Sequence, residues 1–171
     1  MVGDRELAAR YDYGAEAYDE LYGQEQVEKY EAGLRLLPPR GRVIDVGCGT
    51  GLLLEYMASA GLLSDVEEFV CVDVSGSMLS LAARRISALC PERCAAIMAN
   101  AEALPFRDAM FDVAYSFSVV NLLEYPAAAI AEIARVSRSS LVTLVPRVSD
   151  YRPEGWRHLG RAGKDEAYAR P

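Results

Sequence analysis

The chain has 171 residues, of which 51% are hydrophobic and 25% are charged, and its net charge at pH 7 is −7. This length suits one domain, and the composition argues against a disordered chain, a collagen or a small disulfide-stapled protein. The acidic balance also excludes a general attraction to nucleic acid, although the basic stretch 135–171 leaves contact with an anionic partner open.

Short apolar runs alternate with helical patterns along the chain. The predicted helices are 24–37, about 50–60, 76–89 and 126–138, and the predicted strands are 42–46, 69–74, 94–100, 111–118 and 140–146. Nearly continuous apolar strands separated by helices indicate an α/β fold: a Rossmann-like parallel sheet with helices on both faces.

Membrane and metal sites are not expected. No apolar run approaches the roughly 20 residues of a membrane helix, and the first residues hold no apolar signal core. We therefore expect a cytoplasmic protein with no membrane contact. The four cysteines form no CxxC pair and the single histidine, His158, is distant, which argues against zinc. Cys90 and Cys94 are close enough in sequence to pair, but a cytoplasmic location favours free thiols.

A glycine-rich turn follows the first predicted strand, in the segment VIDVGCGTG at 43–51. Gly47, Gly49 and Gly51 allow a tight turn and a close approach of a ligand to the backbone. The spacing differs from the dinucleotide fingerprint, because the sixth position from Gly47 is Leu52. No Gly-Lys-Ser/Thr follows, so the segment is not a phosphate loop.

Two aspartates flank this turn. Asp45 precedes it by two residues, where a carboxylate would repel a phosphate and favour an ammonium group. Asp73 ends the second predicted strand, where a carboxylate can accept both hydroxyl protons of a ribose. A ligand that combines an amine with a ribose is S-adenosylmethionine.

The sequence resembles the class I S-adenosylmethionine-dependent methyltransferases, especially the small type 11 group that includes quinone-biosynthesis enzymes. Five segments carry the resemblance, in order, over about residues 40–146: VIDVGCGTG, CVDVSGSML at 71–79, NAEALPF at 100–106, FDVAYSFSVVNLL at 111–123 and AEIARV at 131–136. The resemblance implies one domain over 1–171, with a helical cap at 1–38, a cofactor-binding core at 40–146 and a polar, basic tail at 147–171.

The resemblance also assigns roles to individual residues. Asp45 and the Gly47–Gly51 turn would hold the methionine part of the cofactor, and Asp73 its ribose. Ser116 would lie beside the sulfonium, and Tyr11 or Tyr18 would close over the cofactor, although packing in the core explains either tyrosine equally well. The predicted cofactor-binding set is Asp45, Gly47, Cys48, Gly49, Gly51, Asp73, Val74, Met78, Asn100, Ala101, Glu102, Ser116, Tyr18 and Tyr11.

The chain departs from the family pattern in three ways. Ser137-Arg138-Ser139-Ser140 stands where the family has a Pro-Gly-Gly lead-in to the fifth strand. Asn100 stands where an aspartate is usual. Only 25 residues follow Pro146, and their polar sequence is unlike the two final strands of the family, so we expect those strands to be missing. The fifth strand would then be a bare sheet edge, covered by the tail, by a second copy in a homodimer or by a partner protein.

The function implied is methyl transfer from S-adenosylmethionine to an unidentified acceptor, a small molecule, RNA or protein, with S-adenosylhomocysteine as product. The loop 119–126 would form one wall of the acceptor site. No catalytic residue is assigned. The alternative is a non-catalytic partner subunit that keeps the methyltransferase fold.

Overall fold

A computed structural model describes residues 4–146 and 148–171, with side chains from Ala17 onward. The helices are α1 (Asp4–Leu36), α2 (Leu52–Ser59), α3 (Gly76–Leu89) and α4 (Pro126–Val136), and a short 3-10 turn covers Val120–Leu122. The strands are β1 (Gly41–Val46), β2 (Val66–Asp73), β3 (Cys94–Met98), β4 (Phe111–Phe117), β5 (Ser137–Leu144), β6 (Arg157–Ala162) and β7 (Asp165–Arg170).

The strands form one seven-stranded sheet in the order β3-β2-β1-β4-β5-β7-β6. Strands β1 to β5 are parallel, and β7 runs antiparallel to both β5 and β6. The strand order reverses between β1 and β4. In an open α/β sheet this reversal leaves a crevice at the carboxyl ends of the central strands, which is where such folds bind ligands.

Helices cover both faces of the sheet, as predicted, because each central strand is apolar on both sides. Val43 and Phe69 pack with residues of α1, α2 and α3, among them Leu53. Ile44 and Phe111 pack with the buried face of α4 on the opposite side. All of these side chains are fully buried.

The expected loss of the last two strands is wrong. The tail folds into β6 and β7, which a two-residue turn at Gly163 and Lys164 joins, and β7 pairs with β5 along its length. Gly163 has φ +58°, a conformation that suits a tight hairpin turn. The tail itself therefore covers the edge of β5, and no partner or second copy is needed there.

The expectation that Cys90 and Cys94 are free thiols is also wrong, because their sulfur atoms are bonded in the structure. Cys90 ends α3 and Cys94 begins β3, and the N–H of Cys94 donates to the carbonyl of Cys90 across the turn. This turn brings the two Cα atoms to 5.6 Å. Cys48 and Cys71 are free and buried.

Within the described part of the chain, no helix has both the length and the apolar character needed to cross a bilayer.

Candidate functional site

A cleft of about 740 Å³, its open mouth included, lies at the carboxyl ends of β1, β2 and β4. Apolar side chains and glycine backbone form most of its walls, and Asp73, Asn100 and Ser118 contribute polar groups. Its lining residues are Tyr18, Val46, Gly47, Gly49, Val72, Asp73, Val74, Met78, Ala99, Asn100, Ala101, Phe117, Ser118, Val119, Leu122 and Leu123.

The glycine turn forms the floor of this cleft. The N–H groups of Gly47 and Cys48 both donate to the carbonyl of Val72, at 2.7 and 2.9 Å, so the turn folds back onto the end of β2. Gly47 has φ +79°, and a Cβ there would collide with Val119. Gly49 has φ +55°, but a Cβ there would meet no protein atom within 4 Å. At Gly47 a side chain is therefore excluded by the protein, and at Gly49 the space is left for a ligand.

Asp73 is held at the end of β2 by backbone groups on both sides. Its Oδ2 accepts from the N–H of Gly49 at 2.8 Å, and its Oδ1 accepts from the N–H of Ser75 at 2.9 Å. The carboxylate is thus oriented by the backbone while it lines the cleft.

Asp45 faces a smaller polar compartment of about 300 Å³ that adjoins the cleft and shares Tyr18, Gly47 and Gly49 with it. Asp45 is 3% exposed, and burial, followed by the charge of Asp73, raises its pKa to about 8. No cation among the described residues pairs with this carboxylate. A buried carboxylate without a cation is costly, unless a ligand supplies the positive charge.

A second buried acceptor lies in the same compartment. The amide nitrogen of Gln26, on α1, donates to the hydroxyl of Tyr18 at 3.2 Å, whereas its Oε1 has no hydrogen-bond partner among the residues that the structure describes. Gln26 is buried and lines the compartment together with Asp45. An unpaired buried carbonyl oxygen costs about 1–3 kcal/mol. Within the described residues, Oε1 of Gln26 lacks a donor and Asp45 lacks a cation, so the compartment can accept a hydrogen bond and a positive charge from a ligand.

Helix α1 is tied over the glycine turn by a set of polar contacts. Asp19 accepts a 2.6 Å hydrogen bond from the hydroxyl of Thr50, in the turn, and forms an ion pair with Arg85 of α3. Arg85 also donates to the carbonyl of Thr50 at 2.7 Å. These contacts place Tyr18, the neighbour of Asp19, on the wall of the cleft.

The far end of the cleft is built by the starts of two loops. Val74 lies in the β2–α3 connection and Met78 in the first turn of α3, where the Ser75 hydroxyl caps the helix by accepting from the N–H of Met78. Asn100 and Ala101 follow β3 and line the opposite side. The side-chain oxygen of Asn100 accepts from the N–H of Glu102 at 2.8 Å, which shapes this loop.

Most of the predicted site residues with described side chains lie together, but three of them line neither the cleft nor the polar compartment. Ser116 is fully buried and donates to the carbonyl of Val46, so it braces β4 against β1. Gly51 packs against Ala82 of α3. The carboxylate of Glu102 accepts from the N–H of Tyr125 and holds the loop before α4. Cys48 lines only the polar compartment. Tyr11 lies outside the residues whose side chains are described.

Sequence reasoning missed Gln26 and Ser118. Gln26 and Lys29 lie on the same face of α1 as the buried Tyr30, at helical spacings of three and four residues. Polar residues on the buried face of a helix are the sequence feature from which Gln26 could be predicted. For Ser118 the signal is structural, because its φ of +61° is a conformation that serine rarely adopts.

The cleft, the glycine turn and the two aspartates can now be compared with known proteins. Residues 44–141 match the sequence family described as a methyltransferase domain. The chain belongs to this methyltransferase family. The resemblance seen in the sequence is thus confirmed, and the matched residues run from β1 to β5.

Relatives with assigned names share the same domain. This methyltransferase domain is 31% identical over 142 residues to malonyl-acyl-carrier protein O-methyltransferase of Pseudescherichia vulneris, covering 81% of this chain and 51% of that protein. It is 35% identical over 140 residues to demethylmenaquinone methyltransferase of Renibacterium salmoninarum, covering 78% and 54%. The chain therefore spans about half the length of the curated relatives that it matches.

A solved structure has the same fold at comparable length. A SAM-dependent methyltransferase from Aquifex aeolicus superposes with a TM-score of 0.67 at 18% identity, over 91% of this chain and 95% of that chain. At this level of identity the likeness concerns the fold. It agrees with a seven-stranded sheet in which β6 and β7 complete the domain.

Proposed function

We propose that this chain binds S-adenosylmethionine in the cleft and transfers its methyl group to an acceptor that enters beside the loop 119–126. The observation that carries the proposal is a pair of buried acceptors in one compartment, the carboxylate of Asp45 and Oε1 of Gln26. Membership of the methyltransferase family supports the same reading.

The polar compartment fits the methionine end of the cofactor. An ammonium group carries three N–H donors and one positive charge. Oε1 of Gln26 would accept one of these donors, and Asp45 would accept another and supply the opposite charge. The same charge would lower the pKa of Asp45 again and so favour its ionised form.

The larger part of the cleft fits the adenosine end. Asp73 would accept the ribose hydroxyl protons, with its orientation set by Gly49 and Ser75. Val74 and Met78 would pack on the adenine ring from one side, and Asn100 and Ala101 would contact its edge. A largely apolar cleft with a few placed polar groups is the usual form of a site for such a ligand.

The chain's own residues would act mainly by positioning. The bound cofactor supplies an electrophilic methyl on a sulfonium, whose C–S bond breaks as the acceptor–carbon bond forms, with the electron pair returning to sulfur. Val119 and Leu122 would exclude water from the reacting atoms, since both line the cleft beside the glycine turn. Orientation of the two reactants alone can supply much of the rate enhancement.

Isothermal titration calorimetry tests this proposal. The full chain is titrated with S-adenosylmethionine, with S-adenosylhomocysteine and with NADH as a control nucleotide. We expect both sulfur compounds to bind and NADH not to bind. Binding of neither sulfur compound would overturn the proposal and favour the non-catalytic partner role. Mass spectrometry of the ligand that co-purifies gives an independent readout.

A further inference from the structure

A buried polar cluster lies directly behind the cleft wall and is not used by the proposed cofactor site. It comprises Lys29 of α1, Ser118 after β4, Thr143 of β5 and Asp165 at the start of β7. The side chains of Lys29 and Asp165 are 3% and 1% exposed, and Nζ of Lys29 lies 3.1 Å from Oδ1 of Asp165. Of the four residues, only Ser118 lines the cleft.

The donors of Lys29 are all committed. Its ammonium group has three N–H donors. They are directed to Oε1 of Glu25 at 2.9 Å, to Oδ1 of Asp165 at 3.1 Å and to Oγ of Ser118 at 2.8 Å. Lys29 therefore has no proton left to offer to a ligand in the cleft.

The proton of Ser118 is committed as well. Its Oγ donates to Oδ2 of Asp165 at 2.6 Å, and the same carboxylate oxygen accepts from the hydroxyl of Thr143 at 2.8 Å. A serine hydroxyl has one proton and two acceptor lone pairs. The proton is held by Asp165 and one lone pair by Lys29, so one acceptor lone pair remains.

The backbone fixes this arrangement in place. The N–H of Ser118 donates to Oγ1 of Thr143 at 2.9 Å, and the residue keeps a left-handed φ of +61°. A strained conformation persists only where the surrounding contacts determine it, and such residues cluster at functional sites. The serine is thus locked as a hydrogen-bond acceptor on the wall where β4 ends.

We propose that Ser118 determines the class of acceptor, because it presents a lone pair and no proton to the cleft. The substrate would be a neutral nucleophile that carries its own O–H or N–H, a hydroxyl or an amine, and would donate that hydrogen in a hydrogen bond to Oγ of Ser118. The proton that the substrate gives up on methylation would leave to the solvent at the open mouth of the cleft. A carboxylate has no hydrogen to donate and would meet only lone pairs there. Lys29 and Asp165 are positioning residues that hold the serine in this state. The inference rests on the proposed function and narrows its acceptor.

Matched fragments test the inference without a known substrate. The protein is saturated with S-adenosylhomocysteine and titrated, by ligand-observed NMR, with phenol, benzoate and anisole, and then with cyclohexanol, cyclohexanecarboxylate and methoxycyclohexane. We expect the hydroxyl member of a set to bind about tenfold more tightly than the other two, the effect of one hydrogen bond.

Variants separate this role from a structural one. Ser118→Gly removes the hydroxyl and suits the left-handed backbone, and it should lose the hydroxyl preference when it is saturated with S-adenosylhomocysteine at its own measured affinity. Ser140→Ala removes a buried hydroxyl that contacts Ser137 on β5, and it should keep the preference. Absence of a hydroxyl preference in both sets, or its survival in Ser118→Gly, would overturn the inference while the proposed function stands. Failure of S-adenosylhomocysteine to bind the native protein would overturn both.

Discussion

The backbone N–H of Gly49 donates a 2.8 Å hydrogen bond to Oδ2 of Asp73, and this bond joins the turn after β1 to the end of β2. The second aspartate therefore has two roles in the structure: it lines the cleft, and it fixes the glycine turn that forms the floor. A substitution of Asp73 should therefore change both the conformation of the glycine turn and the charge on the wall of the cleft.

Asp73→Ala is expected to weaken binding of S-adenosylhomocysteine by about 10- to 100-fold, because hydrogen bonds to a charged group contribute about 1.5–3 kcal/mol. Calorimetry measures the change. The matched control is Asp112→Ala, which also removes a carboxylate that accepts a backbone N–H, that of Arg42, but lies outside the cleft. Unchanged affinity in Asp73→Ala would show that the ribose assignment is wrong.

Two glycines of the turn should respond differently to alanine. Gly47→Ala introduces both a left-handed backbone strain and a collision with Val119, so we expect unfolding to become easier by about 3 kcal/mol or more. Gly49→Ala carries the strain alone, about 1–2 kcal/mol, and places its methyl group in open space on the cleft. In Gly49→Ala we therefore expect the loss of binding free energy for the cofactor to exceed the loss of unfolding free energy. Thermal melts measure the stability of both variants, and calorimetry measures their affinity for the cofactor. Equal losses of stability in the two variants would contradict the different roles given to these two glycines.

The ligand-free protein should lose stability as the pH rises from about 4 to about 8. Asp45 has a folded-state pKa of about 8, above its ordinary value of 3.8, so the folded state binds the proton more tightly than the unfolded state. Above the unfolded pKa the unfolded chain ionises first, which favours unfolding until the folded group ionises as well. Between pH 5 and 8.5 we expect the free energy of unfolding to fall by about 3 kcal/mol. The fall is less than the full linkage value of about 1.4 kcal/mol per pH unit, because water can enter the cleft.

Asp45→Asn is the informative variant for this titration. It should melt at a higher temperature than the native protein at pH 8.5, keep a flatter pH profile, and bind S-adenosylmethionine more weakly. Native binding at pH 7 should release a proton from Asp45, which calorimetry in two buffers of different ionisation enthalpy detects. A native pH profile identical to that of Asp45→Asn would show that Asp45 ionises normally.

The buried ion pair between Lys29 and Asp165 should be costly to break from one side. Lys29→Met leaves Asp165 as an uncompensated buried charge, and we expect a loss of about 3–5 kcal/mol. Asp165→Leu should cost less, because Glu25 still pairs with Lys29 at 2.9 Å. The double variant should recover a large part of that loss. The control is Lys164→Met, which removes the exposed partner of Glu25 and leaves the contacts of Lys29 in place. It should cost less than about 1 kcal/mol. Additive losses in the double variant would show that the pair is not coupled.

The tie between α1 and the glycine turn should control access to the cleft. Arg85→Met removes the ion pairs with Asp19 and Glu55 and the hydrogen bond to Thr50, while it keeps the aliphatic stem. We expect a small loss of stability, about 1 kcal/mol, and faster proteolysis and amide exchange in α1. Arg93→Met, a control on another loop, should leave exchange in α1 unchanged. Protection of α1 identical to the native protein would contradict the proposed tie.

The parallel half of the fold was predictable because its signals are local and strong. The apolar runs that end at Val46 and Asp73 can only be buried strands, and the glycines between Val46 and Leu52 require a sharp turn. The family segments then placed the two aspartates at one edge of the sheet. The strand ends shifted by a few residues, and β5 begins at Ser137 because Ser137 pairs with Phe111 of β4.

The C-terminal hairpin was not predictable in the same way. Strand β7 reads DEAYAR, and its buried positions are filled by Asp165, two alanines and Tyr168. Alanine has no strong strand preference, and a buried aspartate makes sense only once Lys29 and Ser118 are known to face it. Tertiary contacts decide this part of the fold. The same applies to Gln26, whose unpaired oxygen has meaning only beside Asp45.

The contacts of Lys29 and its neighbour Glu25 with the hairpin join distant parts of the chain, and Glu25 and Lys164 are 139 positions apart. Closing so long a loop loses entropy that local strand pairing does not, and contacts of this kind slow folding. The central parallel strands can therefore assemble while Ser118 still lacks its partners. During refolding from denaturant, the ability to bind an acceptor should therefore appear later than the secondary structure. The wall of the cleft at Ser118 would be the last part of the site to fold.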